Sequence, residues 1–279
     1  MKISFRGLGK LMVVVVLLLV GAVATRAYAD HAWGGYHWAR TSNPFTLKLG
    51  DNVSAQWDTY LSTSASDWSV STVLDTVVVA GTANPKTCKA VNGRVEVCNS
   101  KYGNNGWLGI ASVWASGSHI TKGTVKLNDT YFSTVKYDTP AWRNLVLCQE
   151  VGHTFGLDHQ DEAFDNTNLG TCMDYTSDPD GTIIGQLDNQ HPNAHDYEEI
   201  EIIYGHLDAI STILNSVFSN KSLALELVDE RKDSEDEFDT SDSSQWGKVV
   251  RESHDKHSSL HEKDLGNGKK LFTFVIWAE

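Results

Sequence analysis

The stretch from Cys148 to His159, CQEVGHTFGLDH, constrains this chain more than any other part of it. Gln149 and His153 stand four apart and Glu150 and His153 three apart, so on a helix all three lie near one face. Gly156 can take positive φ and end that helix. The chain then turns back, and His159 can point at the spot that His153 faces. A metal ion needs donors converging in this way. Zinc favours imidazole nitrogen, and a catalytic zinc keeps one position open for water beside three protein donors. Glu150, next to a ligand position, is placed to take the proton of that water.

The stretch resembles the zinc signature of the metzincin metalloproteases, H-E-x-x-H-x-x-G-x-x-H, at every fixed position but the first, where Gln149 replaces histidine. Downstream, Thr171-Cys172-Met173-Asp174-Tyr175 resembles that family's Met-turn. Gly152, Leu157 and Asp158 resemble the matrixin branch, whereas Tyr175 is closer to the astacin and serralysin branches. The likeness runs from about residue 40 to residue 206. It implies an α+β fold with a twisted mixed sheet, an active-site helix, a Met-turn and a C-terminal helix. It further implies a zinc endopeptidase: His153, His159 and Gln149 hold the metal, Glu150 is the general base, Tyr175 binds the oxyanion and Met173 lies beneath the metal. Substrate would then add as a strand to an exposed antiparallel edge ahead of the active-site helix. Residues 108–114 and 119–128 resemble the last two strands of that sheet.

Gln149 is the departure. Its carbonyl oxygen is a neutral donor, poorer for zinc than imidazole. Three outcomes stay open: Gln149 binds through oxygen, His191 or His195 completes the set, or the site is empty. The last would leave a catalytically silent protein that binds peptides or protein partners without cutting them.

Residues 1–29 have the composition of a secretory signal peptide: basic Lys2, Arg6 and Lys10, an apolar run over 11–20, and Ala27-Tyr28-Ala29 at the cleavage position. The run is short for a membrane span, so stable insertion is not expected after cleavage. Cleavage would remove Lys2, Arg6, Lys10 and Arg26 and no acid. The remaining 250 residues would carry 19 basic and 36 acidic groups, a net charge near −17. Such a surface disfavours nucleic acid and anionic membrane and fits a secreted, monomeric protein acting on peptides.

The four cysteines all fall in the exported part and permit three pairings. Asn92-Gly93 between Cys88 and Cys98 signals a hairpin that a local bridge would cross. The other bridge would join Cys148 to Cys172, tying the active-site helix to the Met-turn. The alternative, Cys148 as a thiolate ligand or nucleophile, is disfavoured because adjacent helix residues diverge by about 100° and Gln149 faces the site.

Strands are expected over 43–49, 70–80, 108–114 and 120–128, with a short helix over 54–62. Thr139-Pro140 opens the active-site helix. A second helix is expected over 196–206, with His195 as a cap or surface residue. The polar insert 177–181 is composed to hold Ca2+ but lacks an EF-hand pattern, so a plain turn is expected there. The organisation is therefore a signal peptide (1–29), a catalytic domain (30–207), a helical extension (208–227), an acidic linker (228–244) and a small C-terminal β-hairpin (245–279). The hairpin is too small to stand alone and should dock on the catalytic domain or a partner. His254, His257 and His261 are expected to be solvated.

Overall fold

The computed structural model describes residues 31–183, 185–214 and 238–278. The expected signal peptide and most of the expected helical extension and acidic linker lie outside the described residues. Among those described, 208–214 has no regular structure, so the helix does not continue beyond the C-terminal one.

Among the described residues, four helices and a mixed sheet of nine strands make an α+β architecture. The strands are β1 (His37–Trp38), β2 (Phe45–Asn52), β3 (Leu74–Ala80), β4 (Val95–Ser100), β5 (Trp107–Ser116), β6 (His119–Asn128), β7 (Lys248–Glu252), β8 (Ser258–Gly266) and β9 (Lys269–Trp277). Their order is β3-β2-β4-β6-β5-β9-β8-β7, with β1 beside β6. β2, β3, β4 and β6 run parallel, and β5 runs antiparallel to β6. The helices are α1 (Asp58–Trp68), α2 (Asp129–Phe132), α3 (Pro140–His153) and α4 (Ala194–Ile203).

α3 starts as its sequence predicts. The Thr139 side chain accepts the Trp142 amide, and Pro140 needs no donor in the first turn. The far end leaves orphan carbonyls, and the N-terminal segment together with Tyr204 after α4 satisfies them. Trp33 Nε1 donates to His153 O at 3.0 Å and Trp38 Nε1 to Thr154 O at 2.8 Å, while the Tyr204 hydroxyl donates to Phe155 O at 2.8 Å. Indoles and phenols suit this place because each buries a large apolar body and supplies one donor.

Several boundaries differ from the sequence pattern. α1 begins at Asp58 and continues to Trp68, because the small buried residues Ser64 and Ala65 let it pack where apolar periodicity gives no signal. β3 begins at Leu74, since 70–73 bends and Val70 is exposed. The Cys88–Cys98 bridge is present, but it ties an irregular loop to β4 rather than crossing a hairpin. At the C-terminus, Lys269–Trp277 pairs with Ser258–Gly266, and Lys248–Glu252 is a third strand outside them.

This three-stranded tail docks on the sheet through β9, which pairs antiparallel with β5 from Trp107 opposite Trp277 to Ser116 opposite Lys269. β5 is thereby covered on both edges, as its near-continuous apolar sequence suits. One side of β5 and β9 joins the main core under α3. On the other, Trp107, Ile110 and Val275 close over Trp246.

Candidate metal centre

Two glycines shape the end of α3. A Cβ on Gly152 would come within 2.6 Å of Met173 Sδ and 2.8 Å of Trp68 Cζ2, so only glycine lets these side chains pack against the helix. Gly156 has φ +102° and lies against Tyr36 O, where a Cβ would collide. The turn it permits returns the chain so that His159 meets His153.

The two imidazoles converge, with their Nε2 atoms 3.0 Å apart and their rings perpendicular. His153 Nδ1 lies 2.8 Å from Leu157 O, which holds the proton on Nδ1 and leaves the Nε2 lone pair toward His159. Burial, and then His159 alongside, hold His153 well below the usual histidine range, in the neutral form that binds metals. His159 Nδ1 faces Glu162 Oε1 at 3.5 Å and Asp158 Oδ1 at 3.7 Å, carboxylates able to orient it.

Gln149 is buried and donates through Nε2 to Cys172 O at 2.7 Å, while its Oε1 has no hydrogen-bond partner among the described residues. Both Glu150 oxygens are likewise buried and unpartnered; the Ala111 amide approaches but falls short of hydrogen-bond geometry. Burial pushes this carboxyl well above the usual carboxylate range. Orphaned buried acceptors are rare in native proteins and call for an explanation. The two imidazoles whose Nε2 atoms meet, with a buried unpartnered carbonyl and a buried carboxylate one turn back on α3, are donors of the types that zinc takes.

The turn at 171–174 lies under α3. Met173 N donates to Thr171 Oγ1, Gln160 N donates to Met173 O, and Met173 packs on Gly152. Cys148 and Cys172 form the second disulfide and join this turn to α3, so Cys148 is neither a thiolate ligand nor a free nucleophile. Tyr175 stacks edge-on to His159 at 4.6 Å. Its hydroxyl is buried without a partner in hydrogen-bond geometry, near Ser258 of the tail, and burial raises its pKa.

His191 and His195 lie elsewhere. His191 Nδ1 pairs with Asp67 at 2.6 Å, and His195 stacks on His31, just after the Asn193 cap of α4. In the insert, the Asp178 carboxylate accepts the Thr182 amide and hydroxyl and the Ile183 amide, closing a local turn.

The tail covers this centre. Phe274 of β9 stacks on His153, with centroids 4.2 Å apart and planes 12° apart. Arg251 of β7 binds both oxygens of Asp158 and forms an ion pair with Glu162 Oε1 at 2.8 Å. His257 stacks on Phe164, and Asp255 accepts the Phe164 amide at 3.2 Å. A small cleft beside Gln149 and Tyr175 is walled by Trp142 and Leu145 on one side and by Ile276 and Trp277 of β9 on the other. Of the two strands expected to include an open antiparallel edge, β6 lies inside the sheet and the free side of β5 is occupied by the chain itself. The tail histidines are not all solvated either, since His261 is buried and bonded to Ser259. The alternating pattern of residues 270–277 marks a strand, but no local signal shows where it docks.

No protein-family model matches the chain, and no curated protein does. Among solved structures, the chain is similar to high choriolytic enzyme 1 (HCE-1), a hatching enzyme zinc-protease from the medaka fish Oryzias latipes. The match has 11% identity and a TM-score of 0.35 over 63% of this chain and 98% of that one. Likeness at this level assigns neither family nor activity to the present chain.

Proposed function

We propose that the chain is a secreted zinc-dependent endopeptidase of metzincin-like design, here in a closed form in which its own C-terminal strand occupies the substrate edge. The observation that carries this reading is the meeting of the His153 and His159 Nε2 atoms at 3.0 Å, with the orphaned Gln149 Oε1 and Glu150 carboxylate buried on the same helix. His153, His159 and Gln149 would hold the metal. Bound zinc supplies Lewis acidity, which makes a water readily deprotonated and polarises a peptide carbonyl. Glu150 accepts the proton of that water and passes it to the leaving amine; its burial, which raises its proton affinity, suits both transfers. The Tyr175 hydroxyl donates to the oxygen that gains negative charge.

An extended peptide pairing with β5 would lie where β9 now lies, so the substrate class is an unfolded or flexible polypeptide. The two disulfides fit an oxidising, extracellular setting. Cleavage requires β9 to leave the edge. Thr273→Pro removes a ladder donor in the middle of β9 and should free the edge, lifting Phe274 from His153 while leaving every proposed metal ligand unchanged. The test is digestion of an unfolded protein by zinc-supplied wild type and Thr273→Pro. The variant should cut faster than wild type, and Glu150→Gln or a chelator should abolish the cutting. A folded, zinc-loaded Thr273→Pro protein that cuts nothing would overturn the proposal.

A further inference from the structure

A second convergence of ligating side chains lies at the other end of the N-terminal segment, built from parts of the chain far apart in sequence. His37 stands on β1 directly opposite His119 at the start of β6, and His206 and Asp208 follow α4. Asp208 Oδ1 lies 3.4 Å from His37 Nε2, 3.3 Å from His119 Nε2 and 3.7 Å from His206 Nε2. The His37 and His206 Nε2 atoms are 3.1 Å apart. A tetrahedral zinc with bonds of about 2.0 Å sets its ligand atoms about 3.3 Å apart, so these separations are those of the edges of one coordination shell. His37, His206 and Asp208 each bring one ligand atom to within 4.8 Å of the others, and His119 approaches from the Asp208 side.

The surroundings of these donors match a built metal site. His37 is buried, and its Nδ1 lies 3.0 Å from Gly35 O, which places the proton on Nδ1 and turns the Nε2 lone pair toward the cluster. Arg40 donates to Asp208 Oδ2 at 3.0 Å through Nη1 and at 3.2 Å through its amide, leaving Oδ1 to the imidazoles. His37 and Asp208 thus each have their outward atom held by a second partner. Imidazole nitrogens with a single carboxylate oxygen select a borderline transition ion rather than calcium or magnesium.

We infer that His37, His206 and Asp208, with His119 beside them, form a structural zinc site separate from the centre on α3. The inference goes beyond the proposed function and does not rest on it. Its role follows from position. The segment that His37 anchors also carries Trp33 and Trp38, whose indoles cap the carbonyls at the end of α3. A metal joining that segment to β6 and to the chain after α4 would hold the cap in place.

The test is zinc content per chain, measured on the full-length protein after dialysis against zinc and then against a weak chelator. Wild type should retain one zinc more than His37→Ala/His206→Ala. His206→Gln alone, at a half-exposed side chain whose replacement spares the core, should likewise lower retention. Adding zinc to a His153→Ala/His159→Ala protein should still raise its melting temperature, and the further change His206→Gln should remove that rise. Equal zinc content in folded wild type and both His206 variants, with the rise preserved, would show that protons rather than metal join these groups. That would overturn the inference whatever the centre on α3 does.

Discussion

Arg251→Met tests whether the tail is a cover held by specific contacts. Methionine keeps most of the length of the stem and removes the guanidinium. That guanidinium binds both oxygens of Asp158 and reaches Glu162 at 2.8 Å. The Asp158 side chain is only 10% exposed, so losing its partner leaves a largely buried charge unpaired. Hydrogen bonds to charged groups contribute about 1.5–3 kcal/mol. Because the Arg251 side chain is itself 35% exposed, solvent screening brings the value toward the lower part of that range, about 2 kcal/mol. If the tail opens as a unit, 2 kcal/mol raises its open population roughly 30-fold. Amide hydrogen exchange reads this directly: β9 and the β5 amides facing it should exchange about 30-fold faster, while β2 and β4 keep their wild-type rates. Unchanged exchange in β9 would show that the Arg251 clamp does not hold the tail. Uniform acceleration of the whole sheet would show that the tail is not a separable cover.

Gly152→Ala should cost about 1–3 kcal/mol, because the new methyl meets Met173 Sδ and Trp68 in a packed layer; an unchanged melting temperature would sink this account of the glycine. Lys126 lies wholly buried beside Tyr102 and beside Ser241 and Asp239 of the segment before β7, and burial pushes its ammonium down to about 8. Between that value and the ordinary lysine range near 10.5, the unfolded chain holds the proton and the folded chain does not. Stability should therefore rise with pH across that window by about 1.4 kcal/mol per unit relative to Lys126→Met. Denaturant titrations of both proteins from pH 7 to 10 check this, and a constant difference would contradict it.

What was legible in the sequence was local. The Thr139-Pro140 start of α3, the return of His159 after Gly156, and the strands on either side of the Gly117 turn each rest on residues within a dozen positions of one another. Both cysteine pairs were legible too, although the Cys88–Cys98 bridge closes over a loop whose shape the Asn92-Gly93 signal overstated. The rest depends on distant pairing. Nothing within residues 269–277 states that they lie on β5, since strand periodicity specifies a face and not a partner. The cluster of His37, His119, His206 and Asp208 draws on three regions more than 80 residues apart, and only the short His206–Asp208 spacing hinted at it. α1 ran past its expected end because Ser64 and Ala65 pack by being small, a property that a search for apolar periodicity passes over.

The central claim, that Gln149 completes a zinc centre with His153 and His159, is tested most directly by competitive zinc titration. The titration is best done in the His37→Ala/His206→Ala background, so that one centre is read. One zinc should bind, at least 10-fold more tightly with Gln149→His, more weakly with Gln149→Ala, and not at all with His153→Ala/His159→Ala. Zinc affinity indifferent to both Gln149 substitutions would show that this side chain does not face the metal. Zinc retained without His153 and His159 would remove the centre altogether.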